Sequence, residues 1–128
     1  LCLCETRATA QESSSPAPPL SDAERETFLL EGEIVRDQAI PRGITHPRRV
    51  TLRRGGYEHD AAVQTHEEYK SQFRLESHLE IDFRDTWRNN VAAYRLDRLL
   101  RLGFVPVTVT RDYRREPAAW TWWSPWWW

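Results

Sequence analysis

Four histidines are the side chains in this sequence best suited to bind a metal ion or to move a proton near neutral pH. They are His46, His59, His66 and His78, and no two of them have the H-x-x-x-H spacing that places two ligands on one helix face. Both cysteines lie within the first four residues, far from any histidine. Ser77 directly precedes His78, and adjacent residues do not by themselves form a nucleophile–base pair. The sequence therefore predicts neither a metal site nor a catalytic residue of these types.

Arginine pairs are the next chemical feature. Arg48-Arg49, Arg53-Arg54 and Arg114-Arg115 could form a basic face that contacts anions. However, 18 basic residues are balanced by 19 acidic ones, which gives a formal net charge of −1. Ordinary solvated strand faces explain the pairs better, so no nucleic acid partner is expected.

Residues 83–106 predict a helix that leads into a strand. Any functional side chains would be positioned around this stretch. Asp85 is expected to be the N-cap, Gly103 suits the position after the last turn, and Pro106 cannot continue a helix. Two sets of residues are expected to pack on a sheet: the ridge Trp87, Val91, Tyr94 and Arg98, and the apolar residues Ala92, Leu96, Leu99 and Leu100 beside it.

Short alternating segments on both sides of this helix predict strands. They are Thr27–Arg36, Arg48–Arg54, Tyr57–Thr65, Val105–Arg111 and Ala118–Trp123. Gly55-Gly56 is a typical two-residue hairpin turn, Gly32 indicates a bulge or a close backbone approach, and Glu67–Glu80 is expected to be a loop with one helical turn. These elements predict an α+β domain: a five-stranded antiparallel sheet with one packed helix, in the order β-β-β-α-β-β.

The two ends are less ordinary. Residues 1–26 are interpreted as a signal-peptide remnant, with Ala8-Thr9-Ala10 as a small-x-small cleavage pattern, followed by a Pro- and Ser-rich linker in which Ser21–Glu26 could cap one helical turn. A disordered tail explains the start equally well, which leaves export open. Residues 124–128 are an abnormal Trp-rich tail, interpreted as a truncated end, with an aromatic patch for a partner as the alternative. The absence of methionine also favours a fragment or a processed form. No apolar run approaches the roughly 20 residues that cross a bilayer, so no membrane span is expected.

A family resemblance lies in the segment that runs from Arg88 to Leu100, R-N-N-V-A-A-Y-R-L-D-R-L-L, and continues after four residues with Val105-Pro106. It resembles the N-A-E-I-A-A-F-H-L-D-R-I-L…V-P segment of the secretory-pathway kinases related to Golgi casein kinase, and it is similar to a group of uncharacterised bacterial proteins with the same kinase-like arrangement. In that family the segment is the αC helix of the small lobe. The resemblance implies a kinase small-lobe-like domain over residues 27–123.

The resemblance also implies positions for nucleotide binding. Gly43 would lie in the loop over the phosphates. Gln64 stands where the family has its strand lysine, and Asn90 stands where the family has the glutamate partner of that lysine. Lys70 could supply the missing positive charge, although a solvated lysine is the simpler interpretation. Both charged members of the pair have become amides, which could keep a hydrogen bond but give the phosphates no fixed cation.

The functional expectation follows from this pattern. A kinase holds its catalytic loop and metal-binding aspartate in a large lobe, and this chain has no residues left to build one, so a large lobe is expected to be missing in cis. We therefore expect no catalysis by this chain, no cofactor, and at most weak binding of ATP. The alternative is a non-enzymatic binding module that contacts a protein or glycan through its hairpins and its Trp-rich end.

Overall fold

A computed structural model describes residues 19–41, 46–75 and 78–126, and for residues 69–75 and 78–84 it describes the backbone. The expected signal-peptide remnant, residues 1–18 with most of the linker, and the last two tryptophans lie outside the described residues. The elements in chain order are α1 (Asp22–Glu31), β1 (Glu33–Ala39), β2 (Arg48–Arg54), β3 (Tyr57–Gln64), β4 (Glu67–Leu75), β5 (His78–Thr86), α2 (Arg88–Leu100), β6 (Thr108–Tyr113) and β7 (Glu116–Trp122). Neither described helix has the length and apolar content that crossing a membrane requires.

The main sheet has five antiparallel strands in the spatial order β1-β2-β3-β7-β6. Helix α2 lies between β3 and β6 in the chain, so the predicted α+β class and the β-β-β-α-β-β order of the main sheet are confirmed. The β2–β3 turn is made by Gly55 and Gly56 with φ of 56° and 78°, values that favour glycine. This turn fixes the register, with Thr51 directly opposite Asp60.

Helix α1 replaces the first half of the strand predicted at Thr27–Arg36. Ser21 and Glu24 form a capping box, in which the Ser21 hydroxyl accepts from the Glu24 backbone amide at 3.3 Å and the Ser21 amide donates to the Glu24 carboxylate at 2.7 Å. The expected single turn therefore continues to Glu31 and buries Phe28 and Leu29. The predicted close approach at Gly32 is confirmed, because a Cβ there would lie 2.7 Å from the Phe28 carbonyl oxygen.

The loop predicted for Glu67–Glu80 is wrong: β4 and β5 form an antiparallel hairpin that is a separate two-stranded sheet. The sequence signal was present, since Tyr69, Phe73 and Leu75 fall on alternate positions between polar residues, as a strand requires. The hairpin includes Asp85, so the predicted N-cap is also wrong. Helix α2 begins at Arg88, with Trp87 at the N-cap and no side-chain capping bond.

Helix α2 packs through a narrow face. Trp87 and Val91 lie against Ala119 of β7, and Tyr94 joins the core cluster around α1. The Tyr94 hydroxyl donates to Glu26 of α1 at 2.5 Å, and burial together with this bond raises the pKa of Tyr94 to about 12. The expectation that Leu96 packs on the sheet is wrong, since 55% of Leu96 is exposed. Leu99 and Leu100 are exposed as well, because only the side of the helix that carries Val91 and Tyr94 meets the sheet.

The segment after α2 is held by one carboxylate. Asp97 is buried and accepts backbone hydrogen bonds from Gly103 at 3.1 Å, Phe104 at 2.9 Å and Val105 at 3.2 Å. These bonds keep residues 103–105 in a loop, so β6 begins at Thr108 rather than at the predicted Val105.

The main sheet curls until side chains join its two edges. Tyr113, at the end of edge strand β6, donates to Asp37 of edge strand β1 at 2.5 Å, and Arg48 donates to the same carboxylate at 2.6 Å. Burial opposes ionisation of Asp37, but the hydrogen bonds from Tyr113 and Arg48 outweigh it and lower the pKa of this carboxyl group.

Candidate functional site

Gln64 and Asn90, which are 26 residues apart, meet where β3 faces the first turn of α2. The Asn90 side-chain amide donates a hydrogen bond to the Gln64 side-chain carbonyl, and both residues are half-buried. The backbone supports this contact, because the Trp87 amide donates to the carbonyl of His66 at 3.0 Å, just beyond the end of β3. Two neutral side chains therefore join the strand to the helix.

The other two predicted nucleotide-binding residues are Gly43 and Lys70. Gly43 lies outside the described residues. Lys70 is on β4, where its backbone pairs with Phe83, and its side chain is not among the described ones. The pair of Gln64 and Asn90 is thus the described part of the predicted site.

An ion pair lies on the same face of β3 as Gln64, nearer the start of the strand. Asp60 and Gln64 are separated by an even number of positions along β3, so their side chains face the same side. The Asp60 carboxylate accepts from the Arg49 Nε at 2.6 Å and from the Thr51 hydroxyl at 2.6 Å. Burial opposes ionisation of Asp60, but these hydrogen bonds lower its pKa. The Arg49 guanidinium also lies 4.5 Å from the centre of the Trp123 ring, so its charge is already engaged.

This Arg49–Asp60 network was not predicted, although the sequence contains a signal for it. A two-residue turn at Gly55-Gly56 implies that Thr51 lies opposite Asp60, and such cross-strand polar pairs interact. The network lines a shallow cavity of about 470 Å³ whose charged walls also include Arg36 and Glu58. Two cations and two carboxylates line it, so the cavity has no excess positive charge for a phosphate.

His59 lies on the opposite face of β3 and is part of an aromatic stack. Its ring lies 3.9 Å from the Trp122 ring at an interplanar angle of 15°, and its Nε2 is 3.0 Å from the Trp123 carbonyl oxygen. The pKa of His59 is lowered, because burial lowers it more than the hydrogen bond to that carbonyl oxygen raises it. The stack lines a cavity of about 900 Å³ between the start of α1 and the residues after β7.

Acidification is expected to destabilise the protein through His59. Because its folded pKa is lower than the unfolded value of about 6.5, its contribution to stability is complete above that value and is lost as the pH falls towards the folded pKa. The free energy of unfolding should fall by no more than about 1.4 kcal/mol per pH unit from this group. Chemical denaturation between pH 7 and pH 5 measures the slope.

The matched variants are His59→Gln and His46→Gln. The first removes the titrating ring and should flatten the slope, whereas the second changes an exposed histidine and should leave the slope in place. An unchanged slope in His59→Gln would assign the pH dependence to another group.

Among the described residues, no three His, Cys, Asp or Glu side chains converge on a point that could hold a metal ion. Comparison of the chain with protein-family models, with curated proteins and with solved structures finds no match. The functional interpretation therefore depends on the geometry of the chain itself.

Proposed function

We propose that this chain is the small lobe of an atypical kinase-like protein, that it transfers no phosphoryl group by itself, and that it binds ATP at most weakly. The hydrogen bond between Gln64 and Asn90 is the observation that supports this proposal. Protein kinases pair a lysine on the third strand of the small lobe with a glutamate on the following helix. This chain joins the corresponding elements, β3 and α2, through a pair of amides at those positions.

The chemistry of the pair supports weak binding. In a kinase the strand lysine contacts the nucleotide phosphates, and catalysis depends on positioning and on neutralising their charge. A glutamine offers a hydrogen bond but no charge. The neighbouring cation, Arg49, already pairs with Asp60, so it does not replace the missing lysine.

The extent of the site supports the same conclusion. Small-molecule sites bury most of the surface of their ligand. The sheet face that carries Gln64, Asp60 and Arg49 would contact a ligand from one side only. A large lobe, in cis or as a partner, would have to supply the opposite wall, the catalytic loop and the metal-binding aspartate.

Restoring the charged pair tests the proposal. The double variant Gln64→Lys with Asn90→Glu should keep the bridge between β3 and α2 as an ion pair and place a fixed positive charge on the strand. We expect its affinity for ATP to be about tenfold higher than that of the wild type, which corresponds to about 1.4 kcal/mol. Titration with ATP, followed by amide NMR shifts, measures weak affinities and reports which strands respond.

The swapped variant Gln64→Glu with Asn90→Lys is the matched control. It has the same net charge and can form the same ion pair, but its cation is on the helix instead of the strand. Its gain in affinity should be smaller than that of the double variant. Superimposable titration curves for the wild type and the double variant would contradict the kinase-like alignment.

A second candidate function is a non-enzymatic binding module. It is favoured by Trp126, which is 94% exposed and lies at the rim of the 900 Å³ cavity. A flat aromatic ring in such a place can stack on a sugar or on an apolar side chain of a partner. An ATP titration without any response in either double variant would favour this candidate over the first.

A further inference from the structure

The end of α2 and the segment that follows it carry the densest group of exposed apolar side chains in the described part of the chain. Leu96, Leu99, Leu100, Leu102 and Phe104 fall within nine consecutive residues, with exposed fractions between 51% and 78%. We call these five residues the leucine face. Single exposed apolar residues are common on soluble proteins, but a contiguous set marks an interaction surface.

A groove runs along α2 beside Leu96 and Leu99 of the leucine face. It has a volume of about 570 Å³ and lies between α2 and Thr110 of β6, with Trp87 and Val91 among its lining residues and Leu96 and Leu99 along the helix. Each of these side chains is at a helical spacing of three to five residues from the next. The groove thus has the length and spacing that receive apolar side chains of another helix.

The charges along the groove have one sign. Arg88 and Arg95 line it, whereas Arg101, at the C-cap of the helix, lines the 900 Å³ cavity instead. Arg88 pairs with Glu67, whereas Arg95 has no carboxylate partner within the described residues. The single acid of α2, Asp97, faces inward and binds the loop after the helix. A ligand with carboxylates would therefore meet one uncompensated cation here, Arg95.

We propose that the leucine face and its groove dock an amphipathic acidic helix from a partner protein. Leucine-type side chains of that helix would enter the groove, and a flanking carboxylate would pair with Arg95. This inference depends on the exposed face of α2 and not on the kinase-like function, so either can fail without the other.

Two other occupants fit the surface less well. A second copy of this chain would place the arginines of one α2 beside those of the other, and like charges across an interface disfavour pairing. An anionic membrane would satisfy the arginines, but a lipid surface does not require the groove between α2 and β6.

The test uses the full chain and a synthetic helical peptide with leucines at i, i+3, i+4 and i+7 and glutamates on both flanks. A second peptide with lysines in place of the glutamates is its control. We expect the acidic peptide to bind, with amide NMR shifts confined to α2 and β6, and the basic peptide to bind at least about tenfold more weakly.

Variants locate the binding site. Leu99→Asp and Arg95→Glu change exposed positions, so both should fold, and each should weaken the acidic peptide by about tenfold or more. Leu30→Asp, an exposed leucine on α1, is the matched control and should leave binding unchanged. Four outcomes would overturn the proposal: no binding of the acidic peptide, equal binding of both peptides, preferential binding to vesicles with anionic lipids, or self-association that Leu99→Asp abolishes.

Discussion

Replacing Trp120 with alanine is expected to destabilise the fold by about 4 kcal/mol, which is a large share of the stability of a small domain. Trp120 is the largest of the fully buried side chains and has no exposed surface. Its ring packs edge-on against Tyr113 at 6.0 Å, lies under the Arg111 guanidinium at 4.7 Å, and its indole N–H donates to the Arg111 carbonyl at 2.9 Å. The substitution removes all of these contacts and leaves a cavity. Urea denaturation followed by circular dichroism measures the loss.

An exposed tryptophan, Trp126, provides the control. Trp126→Ala changes a side chain that is almost fully exposed and should change the free energy of unfolding by less than about 0.5 kcal/mol. Trp120→Phe keeps part of the apolar volume and should fall between the two. Equal denaturation midpoints for Trp120→Ala and Trp126→Ala would show that the core is not where the structure places it.

Replacing Asp97 with asparagine is expected to lower the melting temperature by about 10 °C or more. One carboxylate oxygen accepts from the amides of Phe104 and Val105, and the other accepts from the amide of Gly103 and lies beside Arg98. Asparagine has the same shape, but its NH₂ group would point at hydrogen-bond donors and leave them unsatisfied. Thermal unfolding followed by circular dichroism measures the change.

Because asparagine conserves volume, the loss would report the hydrogen bonds and not a cavity. Asp112→Asn, at an exposed position on β6, is the matched control and should melt close to the wild type. If both variants melt together with the wild type, the loop after α2 does not depend on Asp97.

The sequence predicted the elements whose pattern has one interpretation. The Gly55-Gly56 turn admits a tight hairpin, and the helix that begins at Arg88 has a regular period over more than three turns, so the turn and the presence of the helix were predicted correctly, whereas the first residue of the helix was not. The contact between Gln64 and Asn90 was anticipated from the resemblance, because it depends on a position in the β3 strand and a position in the helix that follows.

The elements that were missed have patterns with two interpretations. Phe28-Leu29-Leu30 suits a buried strand as well as a helix, and the contacts of Phe28 and Leu29 with the sheet are compatible with either structure. The capping box at Ser21 is the feature that favours the helix. The apolar residues of α2 likewise do not indicate which side of the helix faces the sheet. The contact of Val91 with Ala119 orients the helix, and Leu96 and Leu99 are left outside.

The tryptophans at the end of the chain show the same limit. Trp120 and Trp122 fall within the strand predicted at Ala118–Trp123, and they lie on β7. Their burial was not predicted: β7 is flanked by β3 and β6 and is covered by the core cluster around Phe28. Composition does not indicate the place of a strand within a sheet, and that place decides whether an aromatic side chain is buried.

The place of β7 also has a consequence for biosynthesis. It follows all the other strands in the described part of the chain, yet it pairs with β3 on one side and β6 on the other. During translation, β3 and β6 cannot join one sheet until β7 has left the ribosome, so the edge of β3 stays unpaired while most of the domain is already synthesised. An unpaired strand edge invites association with other chains. The nascent domain is therefore most vulnerable to aggregation just before β7 emerges.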